Sequence, residues 1–127
     1  MSDNTENLIT KEDGFRICRV EKSMAGAITA DVWISTDSFW FEGHFPEDPV
    51  LPGIAQLSLI LTVVEKALNL KIRIYSFNRV RFKQIIRPGD VLEIIAAPGK
   101  RNHGQYSFQV QCRGETVLTG LMNIEPI

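Results

Sequence analysis

An α+β fold, with one antiparallel β-sheet wrapped around a single long central helix, is predicted by three features of the sequence. Two segments of β-branched and apolar residues precede a proline-studded loop. One stretch of helical apolar spacing follows that loop, and a run of strand-like segments separated by turn signals fills the remainder. This order is not the strand–helix alternation that builds a parallel sheet. The 127 residues suit one domain, and 44% hydrophobic with 23% charged residues is ordinary for a globular chain.

Residues 1–12 are polar and aperiodic, which predicts a flexible N-terminal tail followed by a single domain over 13–127. A first strand is expected from Phe15 to Val20. A second is expected from Ala25 to Ile34, where Ala27, Thr29, Asp31 and Trp33 alternate against Ile28, Ala30, Val32 and Ile34. Between Phe45 and Gly53, the prolines Pro46, Pro49 and Pro52 exclude a regular helix or a central strand, leaving a shaped loop.

Beyond Gly53, Ile54, Leu57, Leu61, Val64 and Leu68 recur at spacings of three and four. They predict a helix of about 16 residues, or about 24 Å, with Pro52 at its start, where a missing N–H costs little. Leu59, Ile60 and Val63 widen the apolar arc, so most of the helix is expected to be buried. Four strands should follow, over 72–86 (bent or split), 91–97, 105–112 and 116–124. Turns fall at Pro88-Gly89-Asp90, Pro98-Gly99, Asn102-His103-Gly104 and Arg113-Gly114.

A formal net charge of −1 argues against a nucleic-acid partner held by overall charge. Cys18 and Cys112 are too few and too far apart for a metal framework, and neither a metal nor a cofactor is expected. The longest apolar run, Leu57 to Val64, is interrupted by Ser58 and Thr62. It falls far short of the roughly 20 residues of a membrane span. With a polar opening, MSDNTEN, in place of a secretory signal, a reducing, cytoplasmic setting is expected.

Chemically, the informative feature is His44, nine residues before Gly53 at the start of the predicted helix. A helix N-terminus offers unpaired N–H groups and about half a positive charge, which suits an anion or a polarised carbonyl oxygen. Glycine admits that oxygen closely. A histidine nearby can take or give a proton near neutral pH, so the pair suits proton abstraction beside a thioester carbonyl. Spacing alone leaves open a solvated histidine and a purely conformational glycine.

The run GHFPEDPVLPG, Gly43 to Gly53, resembles the motif G-H-F-P-x-x-P-x-x-P-G of the 3-hydroxyacyl-(acyl carrier protein) dehydratases of the FabA/FabZ type. Downstream, VRFKQIIRPGD, Val80 to Asp90, is similar to that family's R-F-x-x-x-x-x-P-G-D strand and turn, and FWFEGHF resembles its aromatic approach to the histidine. The resemblance implies a hotdog fold. It also implies that His44 is the general base and that the Gly53 N–H holds the thioester carbonyl, with Phe45, Pro52, Ile54, Leu57 and Leu61 lining the acyl site. The family carries Glu or Asp fourteen residues after the histidine, where this chain has Ser58. A hydroxyl is a much poorer proton donor than a carboxylic acid, so Ser58 would instead hold a water or the substrate hydroxyl. Glu65 lies near the same helix face but about 10 Å farther along the axis. Glu47 and Asp48 fall at positions that vary in the family without a catalytic role.

Between Glu65 and Asp90 the chain holds Lys66, Lys71, Arg73, Arg79, Arg81, Lys83 and Arg87 and no acidic residue. On a regular strand Arg79, Arg81 and Lys83 would share one side. That row is either a solvated face or a dock for an acidic acyl carrier protein, which the resembling enzymes use. A coenzyme A-linked acyl thioester is the other substrate form expected. The resemblance further implies a homodimer or a higher assembly of dimers, with a heterodimer beside an intact paralogue as the alternative. Three functions remain open: a dehydratase, a catalytically weak acyl-binding subunit, and a hotdog thioesterase.

Overall fold

The computed structural model describes residues 9–10, 14–35, 51–102 and 104–127. The loop carrying His44 and Phe45, together with Glu47 and Asp48, lies outside the described residues. Within them the chain forms β1 (Ile9–Thr10), β2 (Phe15–Lys22), β3 (Ile28–Ile34), α1 (Gly53–Leu68), β4 (Ile72–Phe82), β5 (Val91–Pro98), β6 (Gln105–Cys112) and β7 (Glu115–Pro126). The strands make one sheet in the order β1-β2-β3-β5-β6-β7-β4, with every neighbouring pair antiparallel. A single antiparallel sheet with one long helix against it is the hotdog arrangement that the sequence led us to expect. The short β1 falls in the stretch read as a tail, pairing Ile9 with Arg16 and Thr10 with Phe15.

Strand β3 follows its sequence pattern: Ile28, Ala30, Val32 and Ile34 are buried, while Thr29, Asp31 and Trp33 are half-buried on the other face. It begins at Ile28, not at Ala25. Residues 23–27 close a turn in which the Ser23 side chain accepts the Ala27 N–H, and Gly26 takes a positive φ of 92°. That conformation suits glycine and ends the pairing. Across the sheet, Ile94, Phe108, Val110, Leu118 and Met122 join the β3 residues in a continuous core beneath α1.

The helix spans 16 residues, Gly53–Leu68, as its apolar spacing predicts. It ends at Asn69, which adopts the left-handed conformation (φ 56°) and donates its N–H to the Glu65 carbonyl. Its buried face differs from the expected stripe. Ala55, Gln56, Leu59, Ile60, Val63 and Val64 are buried, whereas Ile54 is exposed and Leu57, Leu61 and Leu68 are only half-buried at the flanks of the core. Both stripes are apolar at helical spacing. Sequence periodicity cannot rank two such faces, and contact with the sheet selects the Leu59–Ile60–Val63 side.

Strand β4 also departs from simple alternation. Its pairing with β7 slips between Asn78 and Arg81, and Arg79 takes a positive φ of 54°. A bulge of this kind inserts an extra residue and re-aims the side chains beyond it. The expectation that Arg79, Arg81 and Lys83 share one side by strand alternation therefore fails, although all three are exposed. Among the described residues no helix is long and apolar enough to cross a membrane.

Candidate functional site

The start of α1 is built to leave donors free. Pro52, at φ −62° and ψ 153°, precedes the first helical residue and has no N–H. Its carbonyl accepts the amides of Ala55 and Gln56, both at 3.1 Å. The amides of Gly53 and Ile54 have no acceptor among the described residues, no side chain caps the helix, and its first turn contains no acidic residue. These amides and the positive end of the helix dipole therefore remain available to an oxygen.

A cleft of about 710 Å³ opens beside this helix start. Leu51, Pro52, Gly53 and Gln56 form one wall, Phe82 to Ile85 with Arg87 another, and Cys112, Arg113, Glu115 and Val117 a third. The wall residues are apolar at Leu51, Phe82, Ile85 and Val117, while Lys83, Arg87 and Arg113 supply positive charge. Phe82 is half-exposed, and its ring stands on Gly53: a Cβ added there would lie 2.9 Å from Phe82 Cζ. Burial pushes the Cys112 thiol pKa up, and the nearby Asp90 charge adds to this, so that sulfur is held as a neutral wall group.

The Pro88-Gly89-Asp90 turn fastens the surroundings of the cleft. Asp90 is buried and accepts the Arg87 N–H at 2.8 Å and Arg113 Nη1 at 2.9 Å. This hydrogen bond pushes the Arg113 guanidinium pKa up. The Asp90 carbonyl takes the Ile34 N–H at 2.9 Å, the Ile34 carbonyl takes the Gly89 N–H at 2.8 Å, and the Ile86 carbonyl takes the Leu51 N–H at 2.7 Å. Residues 86–90 thus hold the last residue of β3 and the first described residue before α1. Both ends of the stretch that carries His44 are tied to one short segment.

Over residues 20–121 the sequence matches the ApeI-like family, described as ApeI dehydratase. The chain belongs to the ApeI-like dehydratase family. It is 30% identical over 116 residues to the 3-hydroxyacyl-[acyl-carrier-protein] dehydratase FabZ of Caldicellulosiruptor bescii, covering 83% of this chain and 80% of that protein. Among solved structures, it resembles the dehydratase heterocomplex ApeI:P from Xenorhabdus doucetiae with a TM-score of 0.75 at 21% identity, covering 85% of this chain and 95% of that one. An uncharacterized protein from Erwinia carotovora subsp. atroseptica matches with a TM-score of 0.73 at 25% identity, covering 87% and 93% of the two chains. The hotdog fold and the dehydratase kinship agree with the motif around Gly53.

In this ApeI-like chain, Pro52, Gly53 and Lys83 come together at the cleft. Ile54, Leu57, Ser58 and Leu61 are not on its walls: Ile54 and Ser58 are exposed, and the two leucines are half-buried. On the helical wheel Ser58 lies well over 90° from Gln56, which faces the core. The Ser58 backbone carbonyl accepts Thr62 Oγ1 at 3.1 Å. Glu65 is engaged structurally, its carboxylate accepting the Ile72 N–H at 2.9 Å. Among the described residues no group of His, Cys, Asp and Glu is placed to hold a metal ion. Reasoning from sequence missed Gln56, Phe82, Ile85 and the Asp90–Arg113 lock. A lone amide inside an apolar arc was the available signal for Gln56. The approach of Phe82 to Gly53 is a contact between distant segments and left no local trace.

Proposed function

We propose that the chain is a 3-hydroxyacyl-thioester dehydratase-like protein that binds or acts on acyl thioesters in fatty-acid or related lipid or polyketide synthesis. The uncapped N-terminus of α1, with the free-amide residue Gly53 on the wall of a cleft, carries this reading. In the reaction His44 takes the C2 proton and the Gly53 N–H stabilises the enolate-like oxygen. The C3–O bond then breaks to leave a C2–C3 double bond, and the departing hydroxyl gains a proton to become water. Phe45 and Pro52 border the thioester, and Ile54, Leu57 and Leu61, which lie off the walls of this cleft, would offer apolar surface to the acyl chain of a paired subunit.

Ser58 makes a second reading specific: a catalytically weak acyl-binding subunit working beside an intact paralogue. Its exposed position on α1 suits a side chain that serves a neighbouring subunit's site, and the structural likeness to a dehydratase heterocomplex supports a paired arrangement. The pairing surface would include β4, which forms one edge of the sheet, and the exposed apolar side chains Ile54, Tyr75, Phe77, Phe82 and Ile85. The minimal assembly is then a dimer, homotypic or with the paralogue. Arg79, Arg81 and Lys83 are the proposed contact for an acidic acyl carrier protein, and coenzyme A thioesters are the alternative substrate. Thioester hydrolysis is the third reading, with no carboxylate among the described cleft residues except Glu115 to support it.

One experiment separates the readings. The purified protein is incubated with 3-hydroxyacyl carrier protein, alone and with candidate paralogues, and enoyl product and free acid are measured separately. Enoyl product from the single chain supports the dehydratase, enoyl product only in the mixture supports the paired subunit, and free acid supports the thioesterase. Acyl thioesters that neither bind nor react would refute the assignment.

A further inference from the structure

Gln56 is the buried polar group that the proposed chemistry leaves unused. It is 5% exposed and sits in the first turn of α1, on the wall of the cleft. Its Nε2 donates to the Leu51 carbonyl at 3.0 Å. That bond fixes which end of the amide is which, since only the NH₂ end can donate to a carbonyl. The other end, Oε1, is closed to solvent and has no hydrogen-bond partner among the described residues. A buried carbonyl oxygen without a donor is costly, and in folded proteins such an oxygen is nearly always completed by a protein donor, a water or a ligand.

We propose that Gln56 Oε1 is the acceptor for the 3-hydroxyl of the acyl substrate, and so a specificity-determining residue of the cleft. The inference rests on the acyl-thioester reading given above. Gln56 is the third residue after Gly53, and its side chain folds back towards Leu51, so the acceptor and the free Gly53 amide belong to the same helix start. A 3-hydroxyacyl thioester presents the matching pair: a carbonyl oxygen that seeks a donor and, two carbons farther on, an O–H that seeks an acceptor. Phe82, half-exposed and resting on Gly53, can swing outward to admit it. A saturated chain leaves Oε1 unpaired. A 3-oxo chain sets a second carbonyl oxygen against it. The cleft should therefore rank 3-hydroxyacyl above saturated and saturated above 3-oxoacyl chains. Gln56 does not donate the proton that the departing hydroxyl needs, because a carboxamide N–H is not acidic near neutral pH.

The test measures affinities by calorimetry for three acyl-pantetheine analogues of one chain length, with 3-hydroxy, saturated and 3-oxo chains. An amide replaces the thioester, which slows deprotonation at C2 and keeps the hydroxyl in place. Wild type should favour the 3-hydroxy ligand over the saturated one by on the order of tenfold, the worth of one buried hydrogen bond. In Gln56→Met, of similar volume, that preference should vanish and the penalty on the 3-oxo chain should relax. Loss of the bond to Leu51 would weaken all three ligands alike, so the ratios isolate Oε1. Equal affinities in wild type overturn the inference, and the wild-type comparison needs no folded variant. A uniform loss in Gln56→Met with the ranking intact also overturns it, assigning Oε1 to a pantetheine amide or to loop positioning. If no ligand binds wild type, the acyl-thioester reading itself falls, and this inference with it.

Discussion

Gly53→Ala separates a glycine kept for packing from one kept for carbonyl access. Its Cβ would stand 2.9 Å from Phe82 Cζ and 3.1 Å from Cε1. Those atoms are the tip of a ring that is 50% exposed, so the ring can turn outward. Full burial of a phenylalanine is worth about 1.5–3 kcal/mol, and freeing this half-buried ring forfeits about 1 kcal/mol. Alanine returns up to about 1 kcal/mol through helix propensity. The expected stability change is therefore close to zero, a shift of about 4 °C or less in Tm. The methyl group nevertheless fills the space through which an oxygen would reach the free amide, and loss of one oxyanion donor costs about 10²- to 10³-fold in kcat. Thermal melting and enoyl formation from 3-hydroxyacyl carrier protein are measured on the same preparations, with affinity for a saturated acyl-pantetheine as a second readout. Gly120→Ala is the contrast. There the Cβ would lie 2.5 Å from Cζ of Phe108, a ring only 3% exposed, and overpacking should cost about 1–3 kcal/mol. Gly53→Ala with wild-type melting, turnover and ligand affinity would refute the carbonyl site. A Tm drop matching that of Gly120→Ala would make Gly53 a packing residue.

If His44 lacks an acid partner, Ser58→Glu should raise dehydratase turnover by about 10²- to 10⁴-fold, and adding His44→Ala should abolish the gain. The exposed position of Ser58 leaves room for the longer side chain, and a Ser58→Glu protein no more active than wild type would remove this position from the chemistry. Reversing Arg79, Arg81 and Lys83 to glutamate should weaken carrier-protein binding, and wild-type affinity should fall as salt rises; an unchanged affinity by titration would leave these residues a solvated surface. Asp90→Ala removes the acceptor of two hydrogen bonds, from Arg87 N–H and Arg113 Nη1, and should destabilise the chain by about 2–4 kcal/mol in urea unfolding. Arg113→Ala should cost less, because that arginine is 71% exposed, and the reverse order would contradict the proposed lock.

From β2 onward the sequence by itself determined the kinds of elements and their order, while the short β1 went unread. Period-two alternation in β3, period-3.6 spacing after Pro52, and glycine-bearing turns are local signals, and each arises from the backbone geometry of the residues that show it. The motif from Gly43 to Gly53 likewise named the dehydratase family, because fixed residue types at fixed spacing are written along the chain. Tertiary structure decided what depends on neighbours distant in sequence. Which apolar stripe of α1 meets the sheet turned on packing, since Ile54–Leu57–Leu61 and Leu59–Ile60–Val63 are equally periodic. The bulge at Arg79 arises in pairing with β7, some forty residues away, and it removed the alternation expected of the basic row. The Phe82 ring on Gly53, the Asp90–Arg113 lock and the partnerless Gln56 Oε1 share this origin. Each depends on segments that only the folded sheet brings to the helix start.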